Sequence, residues 1–348
     1  MRPTMRDVAR AAGVPVSAVP LVLGNRPGVS PERRARVQNA ARALGYQHPT
    51  DAARPTRRHR LGLVIEARGI PIFTDFYYGE ILVGIQAEAK RLGLSLWLHT
   101  FDPEVERIED VAASARDEVD GFIIVSGGDM TDERIAHLEG TGRPTVLVDN
   151  FLVSHNIHAI AADNFGAGFQ ATAHLLALGH RRIGMLVGPR TYRKFVHRHN
   201  GYMDALAAAG IAYDAALAPP AIPSDHPTSE AQLQQMMDVP AGQRPTAIVA
   251  VNDRRAARAL AQFHRLGLRV PDDMSVVGIG DVEEATTTIP PLTTVAVPRR
   301  EMGVLGVRRL VELLAGSAPP PFKMVLYTTL VERESASRAQ ESSRTGPS

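Results

Sequence analysis

The chain has 348 residues, a net charge of +2, 44% apolar and 22% charged residues, and no cysteine. That composition suits a soluble globular protein of two or three domains. It excludes a disulfide framework, a thiolate metal site and a cysteine nucleophile, and no run of eighteen apolar residues is present to cross a membrane. The charge is unevenly placed. Residues 1–60 hold 12 arginines, no lysine and three acids (Asp7, Glu32, Asp51), a surplus of nine positive charges that leaves the rest of the chain negative by about seven. A small basic head on a larger acidic body is the charge plan of a nucleic-acid binder, because phosphate contacts need clustered cations.

In chain order, the first residues lack the apolar core of a signal peptide, so cytoplasmic residence is expected. Thr4-Met-Arg-Asp7 fits a capping box, with Thr4 as N-cap and Asp7 reaching back to it. Val8, Ala9 and Ala12 form the apolar face of this first helix, and Gly13 ends it in the left-handed turn that glycine takes freely. A second helix should carry Val19, Val22 and Leu23 inward. Ser30-Pro31-Glu32 opens a third, with serine as N-cap and proline in the first turn, and with Val37, Ala41 and Leu44 on its apolar face. Helix, glycine turn, helix is the helix-turn-helix plan, whose second helix enters the major groove.

Two prolines, Pro15 and Pro20, complicate that second helix. Pro20 inside a helix removes an amide bond and clashes with the preceding turn, at a cost of about 3 kcal/mol. A delayed start with Ser17 as N-cap puts Pro20 in the first turn, where its missing N–H goes unmissed. Residues 47–60, with Arg54, Arg57, Arg58 and Arg60, read as a basic linker that tracks phosphates, so steep salt dependence of DNA binding is expected.

From Leu61 the pattern becomes short apolar runs alternating with amphipathic stretches. Strands are expected at 61–65, 94–98, 121–125, 145–148, 159–162, 183–187, 247–251 and 275–279. Helical patterns lie between them, at 78–92, 166–178, 200–209 and 254–266. This alternation predicts two doubly wound parallel sheets covered on both faces, with a cleft where their strand C-terminal ends meet. Residues 334–348, polar and rich in small residues, read as a disordered tail.

Few motifs suggest catalysis. Gly166-Ala-Gly168-Phe-Gln-Ala171 follows a strand and opens a helix, as a dinucleotide fingerprint does. That fingerprint needs an acid some 20 residues further on, and none occurs between Asp163 and Asp204. There is no Walker loop, no Gly-x-Ser-x-Gly elbow and no His-Glu-x-x-His. His155/His158 and His197/His199 lack other ligands at metal spacing. No enzyme, no cofactor and no metal site is expected. Only three lysines (Lys90, Lys194, Lys323) accompany 36 arginines; this reads as a trace of GC-rich coding and assigns no function.

Thr4–Val14, Val19, Val22-Leu23, Val29–Val37 and Ala43-Leu44-Gly45-Tyr46 together resemble the lac repressor/galactose repressor family of bacterial transcription regulators. The resemblance continues to about residue 333 through Asp120-Gly121-Phe122-Ile123, Leu178-Gly179-His180-Arg181-Arg182-Ile183, Asn252-Asp253 and Pro290–Val295. It implies a helix-turn-helix head over 1–46, a hinge over 47–60 and a periplasmic-binding-protein-like body over 61–333. On that model one lobe is about 61–160 plus 292–318 and the other about 161–290 plus 322–333, joined by three crossovers.

The resemblance also implies sites. Val16, Ser17 and Leu21 fall at base-reading positions, with Thr4, Arg6, Asn25, Arg26, Arg54, Arg57 and Arg58 as further candidate DNA contacts. None of the three base-reading residues makes a bidentate contact to guanine or adenine, so weak or unusual readout is expected. The family's hinge leucine has no counterpart before Leu61, and Pro55 stops a helix there. For a sugar-like effector, Arg198 matches the ligand-bonding arginine, and Tyr77 and Tyr78 match stacking positions. Asp149, Asp163, Asn252 and Asp253 stand at strand ends; Asp163 and Asp253 read equally well as helix N-caps. The family's cleft acid is replaced by Gly280, with Asp281 beside it.

The implied function is a DNA-binding transcriptional regulator, a repressor and a homodimer on a two-fold operator, whose operator binding a small molecule controls. A family member with degenerate, weakly specific DNA binding and a solute-binding protein of uptake stand as alternatives.

Overall fold

A computed structural model describes residues 4–16, 18–23, 30–44, 59–66, 76–102, 105–115, 117–126, 131–150, 156–221, 230–316 and 319–340. The chain forms two compact units, Met1–Arg58 and His59–Ser348.

The first unit holds three helices: α1 (Met5–Ala12), α2 (Ala18–Leu23) and α3 (Pro31–Ala43). Thr4 and Asp7 form the expected capping box, with the Thr4 N–H donating to Asp7 Oδ2 at 2.8 Å. Gly13 ends α1 at φ 62°, its N–H donating to the carbonyls of Ala9 and Arg10. Val8, Ala9, Ala12, Val19, Val22, Val37 and Ala41 bury one another in a single small core. Helix α2 starts at Ala18, which leaves Pro15 outside it and puts Pro20 third in line. The first four amides of a helix have no intrahelical acceptor, so a proline there loses nothing. The proposed cap, Ser17, lies outside the described residues.

The second unit contains two sheets. The first orders its strands β10-β5-β4-β3-β1-β2, and the second β11-β9-β8-β7-β6. In chain order the elements are β1 (Arg60–Glu66), α4 (Phe76–Arg91), β2 (Ser95–Phe101), α5 (Ile108–Ala115), β3 (Gly121–Val125), α6 (Asp132–Glu139), β4 (Thr145–Val148) and β5 (His158–Ala162). There follow α7 (Asn164–Ala177), β6 (Ile183–Leu186), α8 (Arg193–Ala208), α9 (Glu230–Met237), β7 (Ala247–Ala250), α10 (Asp253–Arg265), β8 (Ser275–Gly280) and α11 (Glu284–Thr287). The last are β9 (Thr293–Ala296), α12 (Arg299–Leu314), β10 (Lys323–Leu326) and β11 (Thr329–Val331). All pairings are parallel except β11 with β9. Fully apolar central strands such as β3 and β7 are buried along their whole length, as parallel strands covered on both faces require.

Two lobe borders differ from the expected ones. Strand β9 was expected in the first lobe, but it pairs with β8, Val277 opposite Thr293. Strand β10 was expected in the second, but it pairs with β5, Lys323 opposite Ala159. Four-residue apolar strands fit either sheet edge, and the pattern carries no information about which edge accepts them. The chain therefore passes between the sheets after β5, after β9 and between β10 and β11.

The tail reading also fails for 334–340. Ser335 is fully buried; its carbonyl accepts from the Val276 amide at 2.7 Å, and its hydroxyl bridges the Thr293 amide and the Val276 carbonyl. His180 Nε2 donates to the Ser337 carbonyl at 3.0 Å, and the Ala339 amide donates to Leu178. Small serines fit where β8 and β9 leave backbone groups unpaired, so polarity there marks a dock. Residues 341–348 lie outside the described residues.

One ion cluster ties α4 to α12. Glu88, 4% exposed, accepts from Arg91 at 2.7 Å and from Arg308 Nε at 2.6 Å. These hydrogen bonds, Arg91's first, hold its carboxyl down to about 2. A folded-state value below the ordinary one gives stability that is complete above about pH 4.5 and is lost as pH falls toward 2. With both guanidiniums more than half exposed, solvent screening limits the effect to about 1–2 kcal/mol. Urea midpoints for wild type and Glu88→Gln should therefore differ at pH 7 and draw together as pH falls toward 2; a constant gap would rule the cluster out as the cause.

Candidate functional site

The strand C-terminal ends of both sheets bring the candidate effector groups together, as doubly wound sheets do. Asp149 follows β4, Tyr77 and Tyr78 open α4, and Arg198 lies one turn into α8, after β6. Asp149 adopts φ 66° and Asp281 φ 55°, the two positive-φ residues other than glycine among the described residues. Such backbone outliers concentrate at functional sites.

The centre of the group was missed in the sequence. Lys194, on α8, donates to Asp149 Oδ2 at 2.7 Å and to the Tyr78 hydroxyl at 3.2 Å. Its ammonium lies 4.4 Å from the centre of the Tyr77 ring and 5.0 Å from that of Tyr78. Asp149 also accepts from the Tyr77 hydroxyl at 2.8 Å. The pair is buried, 9% exposed at Lys194 and 0% at Asp149, and it runs from the second lobe to the first. Burial, then the adjacent carboxylate of Asp149, push the Tyr77 phenol well above its ordinary value, so it remains a donor. Arg299 lies 5.6 Å from the same ring. The Tyr77 ring thus faces two cations, Lys194 and Arg299. A usable signal existed: Lys194 is one of three lysines in an arginine chain.

Arg198 is 1% exposed. Its Nε donates to Asn164 Oδ1 at 2.9 Å and its Nη1 to the Val251 carbonyl at 2.7 Å. Its Nη2 is buried and has no acceptor among the described residues. The backbone around it is held by close packing. A Cβ on Gly168 would stand 1.9 Å from the Arg198 carbonyl oxygen, and one on Gly201 would stand 2.1 Å from that of Phe165. Gly168, the second glycine of the stretch that mimics a dinucleotide fingerprint, thus serves the crossing of α7 on α8, while Gly166 makes room for the Asp163 carboxylate.

Other expected residues have other uses. Asp163 caps α7 through the Gly166 amide at 2.7 Å, and Asn252, not Asp253, caps α10. Asp253 is buried, accepting from the Thr294 hydroxyl at 2.5 Å and the Val282 amide at 3.0 Å. Burial raises its carboxyl above the ordinary value, against the lowering by Thr294. Asp281 pairs with Arg333 at 2.6 Å, and its carbonyl accepts from Arg299. Glu66, Ser126 and Asn150 make a further buried polar group at the ends of β1, β3 and β4, also unforeseen.

In the head, Val16 is 46% exposed and Arg6 exposed. Ser17, Asn25, Arg26, Arg54, Arg57 and Arg58 lie outside the described residues, as does the side chain of Leu21. So does His155; His158 accepts from the Phe322 amide, and His199 stacks on Tyr202.

Residues 4–49 match the model of the lacI family of bacterial regulatory proteins, and residues 172–336 a periplasmic binding protein-like domain. The transcriptional regulator CelR of Thermobifida fusca is 32% identical over 343 residues, 96% of this chain and 98% of that protein. The chain belongs to the LacI family. This LacI-family regulator is also 31% identical to the repressor CytR of Escherichia coli K12, covering 90% of each. It superposes on a CelR–cellobiose complex with a TM-score of 0.73 at 31% identity, covering 96% of this chain and 100% of that one. The lac repressor dimer bound to operator and an anti-inducer gives 0.65 at 26%, over 97% and 100%. The LacI-family chain is thus a transcriptional regulator and not an enzyme, with a helix-turn-helix head and a periplasmic-binding-protein-like body. No helix among its described residues is long and apolar enough to cross a membrane.

Proposed function

We propose that this protein binds a two-fold operator as a homodimer in the cytoplasm, acts as a repressor, and is controlled by a sugar-like molecule held between the two lobes of its body. The observation that carries this is the buried Nη2 of Arg198, a donor with no acceptor among the described residues. A fixed planar guanidinium whose Nη2 amino group is uncommitted suits a hydroxyl or carboxylate oxygen. The relatives support the reading, since CelR is known with cellobiose and the lac repressor as an operator-bound dimer. A ligand that touches both lobes favours one closure state, and only its differential affinity for the two states reaches the head through residues 47–60.

A thermal-shift screen of sugars, polyols and nucleosides should find a stabilising compound whose effect disappears in Arg198→Ala. Retention of the full shift in that variant would remove Arg198 from the site. Footprinting against the gene's own upstream region should give one two-fold protected site with steep salt dependence. The exposed, apolar Val16 favours a second reading, a head with weak base recognition. Protection spread without preference would decide for it, and a strong guanine requirement opposite Leu21 against it.

A further inference from the structure

We infer that Val16 reads the C5-methyl group of a thymine in each half of the operator. The inference rests on the operator reading above and adds to it the chemical group that the head recognises.

In a helix-turn-helix head the N-terminal end of the second helix meets the base edges. Here that helix, α2, has the sequence Ala-Val-Pro-Leu-Val-Leu, with no side chain able to hydrogen-bond a base. Ala18, Val19 and Val22 are buried, the two valines in the small core of the head. Val16, just ahead of α2, is 46% exposed. Among the described residues of the head one other large apolar side chain is exposed, Leu44 at the C-terminal end of α3.

Val16 is fixed by the chain itself. Its carbonyl accepts from the Val19 amide at 3.2 Å, and the Pro15 carbonyl accepts from the Ala18 amide at 2.9 Å. A branched side chain on such a backbone has little rotamer freedom to lose on contact. Cations stand near it. Arg36 Nη1 lies 3.9 Å from the place a Cβ on Gly13 would take, at the turn that leads toward α2. Arg6 and Arg10 on α1 and Arg33 on α3 are exposed as well. Guanidiniums of this kind hold phosphates, which sets the register of a head on DNA and carries no sequence information.

The groove decides what an exposed valine can discriminate. Thymine alone among the four bases presents a methyl group in the major groove; guanine and adenine present N7 acceptors there, and cytosine an amino donor. Valine pairs with no donor or acceptor, and covering one from water is unfavourable. Against thymine it buries the methyl, worth about fourfold in affinity per half-site and about fifteenfold for two.

The test uses the full-length protein. Bound duplexes are selected from a randomised pool, and the selected site is remade with uracil for thymine, one position at a time. Uracil keeps the hydrogen-bonding edge and lacks the methyl. At one thymine in each half-site it should weaken binding about fourfold, and 5-methylcytosine should bind tighter than cytosine there by the same factor. Val16→Ala should weaken the thymine site, leave the uracil site unchanged and shrink the uracil penalty below about twofold, with melting curves confirming that the variant folds. A selected site that tolerates uracil everywhere overturns the inference and leaves the operator reading standing. A full uracil penalty in folded Val16→Ala overturns the assignment to Val16. A pool with no preferred sequence overturns the inference and decides for the weakly specific head. Failure to bind any DNA overturns the operator reading itself, and this inference with it.

Discussion

Asp149→Ala is expected to destabilise the body by about 3–5 kcal/mol, the range for breaking one side of a buried ion pair. The pair is closed to water, with the Asp149 side chain fully buried and Lys194 nearly so. Removing the carboxylate strands an ammonium whose remaining polar partner is the Tyr78 hydroxyl, and the Tyr77 hydroxyl loses its acceptor. Alanine at φ 66° adds roughly 1 kcal/mol of backbone strain, which aspartate and asparagine bear more easily. Asp149→Asn should therefore cost less than alanine while still stranding the charge. Lys194→Met should cost less again, because a stranded carboxyl escapes by taking up a proton. The double variant Asp149→Asn/Lys194→Met should recover most of the loss, since an uncharged pair of similar volume is often no less stable than the ion pair. Urea unfolding of the four proteins gives the coupling energy directly. A coupling near zero would falsify the view of this contact as one electrostatic unit.

This pair also shows where the sequence stops being legible. Local physics could be read directly: Thr4 with Asp7, Gly13, the delayed start of α2, and central strands whose apolar runs admit only burial. The strand-end carboxylates were legible as a class, because doubly wound sheets put their functional ends at strand C-termini. Their individual duties were not. Asp163 and Asn252 cap helices through amides three positions on, a local duty open for Asp163 and Asp253 alike, whereas Asp253 fastens β8 to β9 through Thr294, 41 positions away, which no local spacing announces. Lys194 was hidden for the same reason, its partners lying 45 and 116 positions away. The edge strands β9 and β10 and the docked segment 334–340 were misassigned because sheet-edge choice is a tertiary decision. Composition reports only that a segment is short or polar.

Gly168→Ala should be the most damaging single-methyl change near the site, and Gly79→Ala supplies its control. Both glycines are helical, so helix propensity alone favours alanine by about 1 kcal/mol at each. At Gly79 an added Cβ meets nothing within 4 Å, and the substitution should stabilise or be neutral. At Gly168 the same carbon would stand 1.9 Å from the Arg198 carbonyl oxygen and 2.7 Å from its carbon. Backbone cannot rotate away as a side chain can, so α7 and α8 must separate. Overpacking of this kind costs about 1–3 kcal/mol and sometimes more, which outweighs the propensity gain and reverses the sign. The displacement also carries the guanidinium of Arg198 away from Asn164 and Val251, whose bonds aim the free Nη2. Gly168→Ala should therefore lower the melting temperature and abolish the ligand-induced shift, although no atom that touches a ligand has been replaced. Gly79→Ala should keep that shift in full. If Gly168→Ala melts as wild type and responds to ligand normally, the crossing of α7 on α8 does not set the position of Arg198, and its aim must come from the Asn164 and Val251 bonds alone.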